Sequence, residues 1–281
     1  MKNLFFFCIT LTMLASCELT VEADLPDYEK QMVVHCYPQP EVFHTIVSTT
    51  VGLLENTDPE PLQGATVELY ENGQLLFSTD GNANMPITEP LENGQNYLLQ
   101  VTHPDFETMQ ATQTMPQHVP VKKAVYKEKG GIDEFGDEVD VLQISIDDPA
   151  GEANYYEFAL MVRQNPIDFP DQVDFVYPAE NNSQGISTLY SDLLVASDQF
   201  FDGQSYTLSP KFYGYYQPEQ ATFELLWRNI TRERYLYLKS VTDHTYANDD
   251  PFAEPVGLFT NFDRGLGIFA LYNEETYPVE K

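Results

Sequence analysis

Basic side chains are scarce in this chain. Fourteen Lys and Arg stand against 44 Asp and Glu, a net charge of −30 at pH 7. Nucleic acid is excluded as a partner, because holding a phosphate backbone needs clustered Lys and Arg. Anionic lipid headgroups are repelled as well, so any membrane attachment needs another source. Cysteine is nearly absent: only Cys8, Cys17 and Cys36 occur, and a single one lies beyond residue 17. An internal disulfide framework is thereby excluded, and the fold must rest on its core. No apolar run after Met13 approaches the roughly 18 residues that cross a bilayer. Gly-x-Ser-x-Gly and His-Glu-x-x-His are missing, and His35, His44, His103, His118 and His244 are scattered without ligand spacing. The acids are too numerous for any pairing argument, so the expectation is a protein that is not an enzyme and carries no cofactor.

What is present begins at the N-terminus. Lys2 is followed by an apolar stretch from Leu4 to Met13, then Leu14-Ala15-Ser16-Cys17. Small residues before a cysteine, after a short hydrophobic region, form a bacterial lipoprotein cleavage pattern. Residues 1–16 therefore read as a signal peptide, and Cys17 as the lipidation site and first residue of the mature chain. Buried acyl chains at about 0.8 kcal/mol per CH₂ anchor a protein without a transmembrane helix. An ordinary secretory signal that happens to hold a cysteine is the alternative. Residues 17–30, with Glu18, Glu22, Asp24, Asp27 and Glu29, read as an acidic tether.

From Gln31 the pattern is β. Eighteen Tyr, 18 Phe, 19 Pro and 15 Gly favour strands and turns over helices. Met32–Tyr37, Phe43–Leu54, Ala65–Tyr70, Leu75–Ser78 and Tyr97–Thr102 read as strands, with tight turns at Asn72-Gly73 and Asn93-Gly94. Such spacing predicts an immunoglobulin-like β-sandwich over residues 31–115. Met115–Pro120 reads as a link, and residues 116–281 as a larger β-sandwich or barrel-like domain. Val121–Lys127 with Val139–Asp147 reads as a hairpin there, followed by strands at Tyr155–Val162, Phe212–Tyr216 and Ala221–Arg228. One short helix is expected, capped by Thr231 and running from Arg232 to about Asp243, with Tyr235, Leu238 and Val241 on one face. The fold class is all-β.

Several residues are candidates for chemistry. Tyr213 and Tyr215 share one face of a strand and would make a rigid platform for a sugar or a protein; the alternative is packing in the sandwich. Asp133, Asp137 and Asp140 offer the hard oxygens that Ca²⁺ prefers, or else a solvated hairpin tip, and Asn248-Asp249-Asp250 is a second acidic cluster. His35 and Cys36 point to opposite strand faces, which favours a core cysteine over a nucleophile and base. Gly265-Leu266-Gly267 lacks the lysine and following helix of a phosphate loop. It reads as the entry to a closing strand whose glycines permit close approach or positive φ.

Two resemblances follow from these residues. Pro61-Leu62-Gln63-Gly64-Ala65-Thr66-Val67-Glu68-Leu69, the Asn-Gly turn and Asn93-Gly94-Gln95-Asn96-Tyr97-Leu98-Leu99-Gln100-Val101 resemble transthyretin-like regulatory modules of carboxypeptidases and outer-membrane receptors. Further on, three blocks resemble the family catalogued as domain of unknown function 4249, lipoproteins of Bacteroidota-type bacteria. They are Asp148–Tyr156, Ser191-Asp192 with Phe200-Phe201-Asp202-Gly203, and Asp250–Pro255 with Asn261 and Gly265–Phe269. That resemblance implies an outer-membrane lipoprotein working beside a TonB-dependent receptor in nutrient uptake. It names no catalytic residue and leaves open which face of the membrane is occupied. A stand-alone surface adhesin or glycan-binding lipoprotein is the alternative.

Overall fold

The computed structural model describes residues 28–38, 42–52, 57–86, 90–164, 173–179, 185–189, 192–214, 221–250 and 252–281. Along the chain run β1 (Met32–Cys36), β2 (Val42–Thr49), β3 (Thr66–Glu71), β4 (Gln74–Asp80), β5 (Asn84–Pro86), β6 (Asn96–His103) and β7 (Phe106–Thr114). Next come β8 (Val121–Ile132), β9 (Glu138–Asp147), β10 (Tyr155–Gln164), β11 (Asp174–Phe175), β12 (Ile186–Thr188), β13 (Leu194–Ser197), β14 (Ser205–Leu208), β15 (Lys211–Phe212) and β16 (Ala221–Ile230). A helix, α1 (Arg232–Asp249), precedes β17 (Leu266–Phe269) and β18 (Tyr272–Pro278).

The first sandwich packs the sheet β4-β3-β6-β7 on the sheet β17-β1-β2-β5. Period-2 alternation supplies its core: Val34, Cys36, Phe43 and Val47 from one sheet meet Val67, Leu69, Leu99 and Val101 from the other. Asn72 (φ 49°) and Gly73 (φ 85°) close the β3–β4 hairpin with both central residues at positive φ, the geometry that makes Asn-Gly a hairpin turn. The chain does not leave this sandwich for good at residue 115. β17 returns and pairs in parallel with β1, Val34 opposite Gly267 and Cys36 opposite Phe269, and Phe262, Phe269 and Leu271 join the core. The boundary expected at residue 116 is therefore crossed by the chain's own end. Gly265 and Gly267 make this possible. A Cβ on Gly267 (φ 119°) would lie 1.9 Å from the Val34 carbonyl oxygen, and one on Gly265 (φ 67°) 2.7 Å from that of Met32.

The second sandwich sets β12-β13-β10-β16-β18, with β11 beside β10, against a sheet centred on β9. β9 pairs with β8 on one side, and with β14 and β15 on the other. Its core is aromatic: Tyr156, Phe158, Phe223 and Trp227 from one sheet, Tyr126 and Phe212 from the other. Two packed sheets make this domain a sandwich rather than a barrel. The outer face of the five-strand path is covered by α1, whose Tyr235 and Leu238 rest on Val195, Ile230 and Tyr272.

α1 starts as its cap dictates: the Thr231 side chain accepts from the Arg234 N–H. It runs a turn and a half past the expected end at Asp243. Beyond Val241 the apolar stripe stops, but polar contacts continue the helix. Thr245 donates to the Val241 carbonyl at 2.9 Å, Asn248 meets His244 at 2.9 Å, and the His244 ring meets the Val256 carbonyl at 2.6 Å in the returning loop. Among the described residues no helix is long and apolar enough to cross a membrane.

Candidate functional site

Alternation along β10 sends Tyr156 and Phe158 into the core, so Glu157 must face the opposite way, beneath α1. It is fully buried and held by two guanidinium groups. Arg234 of α1 approaches at 2.5 Å and 3.0 Å, Arg228 of β16 donates from Nη1, and Arg228 also pairs with Glu274 at 2.6 Å. Burial alone would raise the Glu157 pKa; the two arginines outweigh it and hold the carboxyl below its ordinary range. The Arg234 guanidinium lies 5.0 Å from the ring centre of Tyr37, just past β1, and 4.8 Å from that of Tyr272. The Tyr237 hydroxyl meets the His35 ring at 3.2 Å. One buried ionic cluster thus ties both sandwiches to the helix. Nothing local in the sequence marks Glu157 among 44 acids; only its position between two core aromatics hinted that it faces away from the core.

A second cluster forms where two turns meet. Asp148 follows β9, Asp198 opens a 3₁₀ turn after β13, and Asp202 lies just past that turn's C-cap, Phe201. Their carboxylate oxygens lie within 4.8 Å of one another, the one such grouping of possible metal ligands among the described residues. Asp148 and Asp198 are buried and Asp202 is exposed. Every one already accepts protein hydrogen bonds. Asp148 takes Tyr156 Oη and the Gly203 N–H, Asp198 the Asn154 N–H at 2.6 Å, and Asp202 the Gly151 N–H at 3.0 Å. Burial pushes the Asp148 pKa up, against those donated bonds and with added repulsion from Asp198 and Asp202. Such a set has the hard-oxygen character that suits Ca²⁺. It also fastens the turn after β9 to the turn after β13.

Beside this cluster a cleft of about 490 Å³ opens between the sandwiches. Thr112, Thr114 and Gln117 line one wall, Asn154 and Tyr155 the other, and Asn229 with the first turn of α1 the end. Asn229 is buried; its Oδ1 accepts the Val119 N–H at 2.8 Å, while Nδ2 has no hydrogen-bond partner among the described residues.

The residues expected from the sequence are placed differently. Asp133 caps its own hairpin turn, accepting from the Phe135 and Asp137 N–H groups at 2.9 Å each, and Asp137 is exposed. Asp140 points inward to Tyr126 Oη and the Lys129 N–H. These three carboxylates do not converge, because Asp140 lies on the core face of β9 while the others belong to the tip. Asp250 likewise serves its own turn, accepting from the Phe252 N–H at 2.9 Å. Tyr213 is half-buried and donates its N–H to the Tyr177 carbonyl at 3.2 Å beside the core residue Phe212; Tyr215 and Cys17 lie outside the described residues. Cys36 is buried in the first core, where burial raises its thiol pKa, and His35 faces α1, its pKa lowered by burial. The two do not share a face.

Two of the family-like blocks, Asp148–Tyr156 and Phe200–Gly203, supply Asp148 and Asp202 of the carboxylate cluster, and Asp198 lies just ahead of the second. The third supplies β17 and its supports: Asn261 holds Phe269 by hydrogen bonds of 2.6 and 3.0 Å. A family model described as Domain of unknown function (DUF4249) matches residues 18–278. No curated protein matches the chain.

Proposed function

From the premise that this chain belongs to the DUF4249 family, we propose that it is an outer-membrane lipoprotein. In this reading it is held by acyl groups on Cys17 and serves as a non-enzymatic accessory or ligand-capture subunit beside a TonB-dependent receptor. The observation that carries this reading is the cleavage pattern Leu14-Ala15-Ser16-Cys17 directly ahead of the family match, which begins at residue 18. An acidic tether and a charge of −30 leave the acyl groups to supply membrane attachment, since the protein surface repels anionic lipid. The two sandwiches joined through α1 suit a scaffold for presenting a cleft. The alternative, a stand-alone glycan-binding adhesin, would need no receptor.

A mild-detergent pull-down of tagged protein from its native outer membrane, read by mass spectrometry, tests the proposal. A TonB-dependent receptor recovered in near-equal amount, and lost with Cys17→Ala, is the expected result. Recovery of the protein alone, under conditions that preserve other receptor–lipoprotein pairs, would leave the adhesin.

A further inference from the structure

We propose that the free edge of β7 binds an extended peptide, which adds to the sheet as a fifth strand within the cleft between the sandwiches. The argument rests on where main-chain groups point. β7 is the last strand of β4-β3-β6-β7. Gln110 is engaged away from β6: its N–H donates to Asp263 Oδ1 at 2.7 Å and its carbonyl accepts the Asp263 N–H at 3.0 Å. Successive residues of a strand direct their N–H and C=O to opposite sides, so Thr112 and Thr114 face the same outer edge as Gln110. The far side of the sheet agrees. Asn96, opposite Thr114, gives its carbonyl to Asn72 on the β3 side, and Met115 donates to the Gln95 carbonyl. Among the described residues, no hydrogen bond is recorded from the outward N–H and C=O groups of Thr112 and Thr114.

Proteins usually protect such an edge with Lys, Pro, a bulge or a covering element. Here Asp263 bonds the outward groups of Gln110, and the Thr260–Asp263 segment flanks Thr112 across a second hollow without a recorded main-chain bond to it among the described residues. Beyond Gln110, Thr112 and Thr114 meet the cleft, and protection resumes at Pro116, whose carbonyl accepts from Asn273. An added strand lies about 4.8 Å from its neighbour and rises about 3.4 Å per residue. A cleft of about 490 Å³ accommodates a short segment at that spacing. Asn229, whose buried Nδ2 has no hydrogen-bond partner among the described residues, belongs to the same cleft wall. Main-chain pairing gives affinity with little demand on side chains. Glu152 and Glu233 line the cleft against a single Arg232, and the chain carries −30, so the favoured peptides are neutral or basic. The inference stands on the fold and not on the receptor partnership, so either fails without the other.

The test is hydrogen exchange, resolved to single amides by NMR, on the full acylated chain in detergent. The probe is a pool of end-capped random octapeptides. At saturating pool concentration the amides of Thr112 and Thr114 should exchange at least tenfold more slowly, while Gln113, already paired to β6, should not change. A matched pool N-methylated at every amide should give no protection. Thr112→Pro, which removes an outward N–H, should weaken the pool at least tenfold, and Thr112→Val should bind as the natural chain does. Should Thr112→Pro fail to fold, the N-methylated pool still decides. Absence of protection at Thr112 and Thr114, equal protection by the N-methylated pool, or protection by maltotriose and not by peptides would each overturn the proposal. The last would make the cleft a saccharide seat.

Discussion

The two sandwiches solve the same problem with different materials. The first is closed by apolar packing and a strand borrowed from the far end of the chain, and its buried polar residues are Thr45, Ser48 and Gln113. The second buries Asp140, Asp148, Glu157, Asp198, Asn229 and Arg234 around an aromatic core. Neutral packing tolerates local change, whereas a buried charge must keep every partner. The contrast teaches that the first unit is specified by shape and chain closure, and the second by complementary charge. The turns that build the carboxylate cluster, and one wall of the cleft, belong to the second.

The contrast is broken most severely at Gly267. Replacing it with Ala forces a Cβ against the Val34 carbonyl at a positive φ, and should cost more than about 4 kcal/mol, the exceptional end of single substitutions. Urea denaturation followed through the first sandwich measures this. If stability is unchanged, the borrowed strand does not close that sandwich. Next comes Glu157→Gln, which leaves the buried Arg234 without its counter-charge and Arg228 with Glu274 alone, and should cost about 3–5 kcal/mol. Adding an apolar replacement at Arg234 should recover part of the loss in a double-mutant cycle. A loss of the same size in both backgrounds would show that charge is not what specifies the second unit.

A pH series sharpens the comparison further. Glu157 is depressed in the fold, so its stabilising contribution is present above the ordinary carboxylate pKa of about 4.3 and is lost as pH falls through the folded value. Asp148 is raised, so it favours the fold while protonated, and stability falls as pH rises through the window between its unfolded and folded values. Melting temperature against pH should therefore lose part of its acid-side decline in Glu157→Gln, and gain at neutral pH relative to acid in Asp148→Asn. The smallest effect is expected at Gly73→Ala in the first sandwich. There a positive φ of 85° with open space around the site should cost about 1 kcal/mol.

Much of the first sandwich was legible because its signals are local. Strand alternation, the Asn72-Gly73 turn and the core position of Cys36 each depend on neighbours in sequence. So did the Thr231 cap, and the glycine requirement at Gly265 and Gly267. The length of α1 was underestimated because contacts from the returning loop, Val256 to His244, extend it past its apolar face. The carboxylate cluster is not legible in the sequence: Asp148 and Asp202 fall in two of the blocks, Asp198 falls in neither, and nothing local states that the three approach each other. The Asp133, Asp137 and Asp140 loop was attractive for its density of acids, yet alternation alone sends Asp140 inward from the tip.

By itself the sequence determined an all-β chain, its turns and the helix start, since each is decided by propensities and spacings within a few residues. It also determined which face of each strand is apolar. Tertiary structure alone decided what covers the other face. β17 lies on β1, Arg234 on Glu157, and Asp148 beside Asp198, because those pairings are set by chain closure and by the twist and stacking of whole sheets. Alternation tells a side chain which way to point, and only the packed fold supplies what it meets.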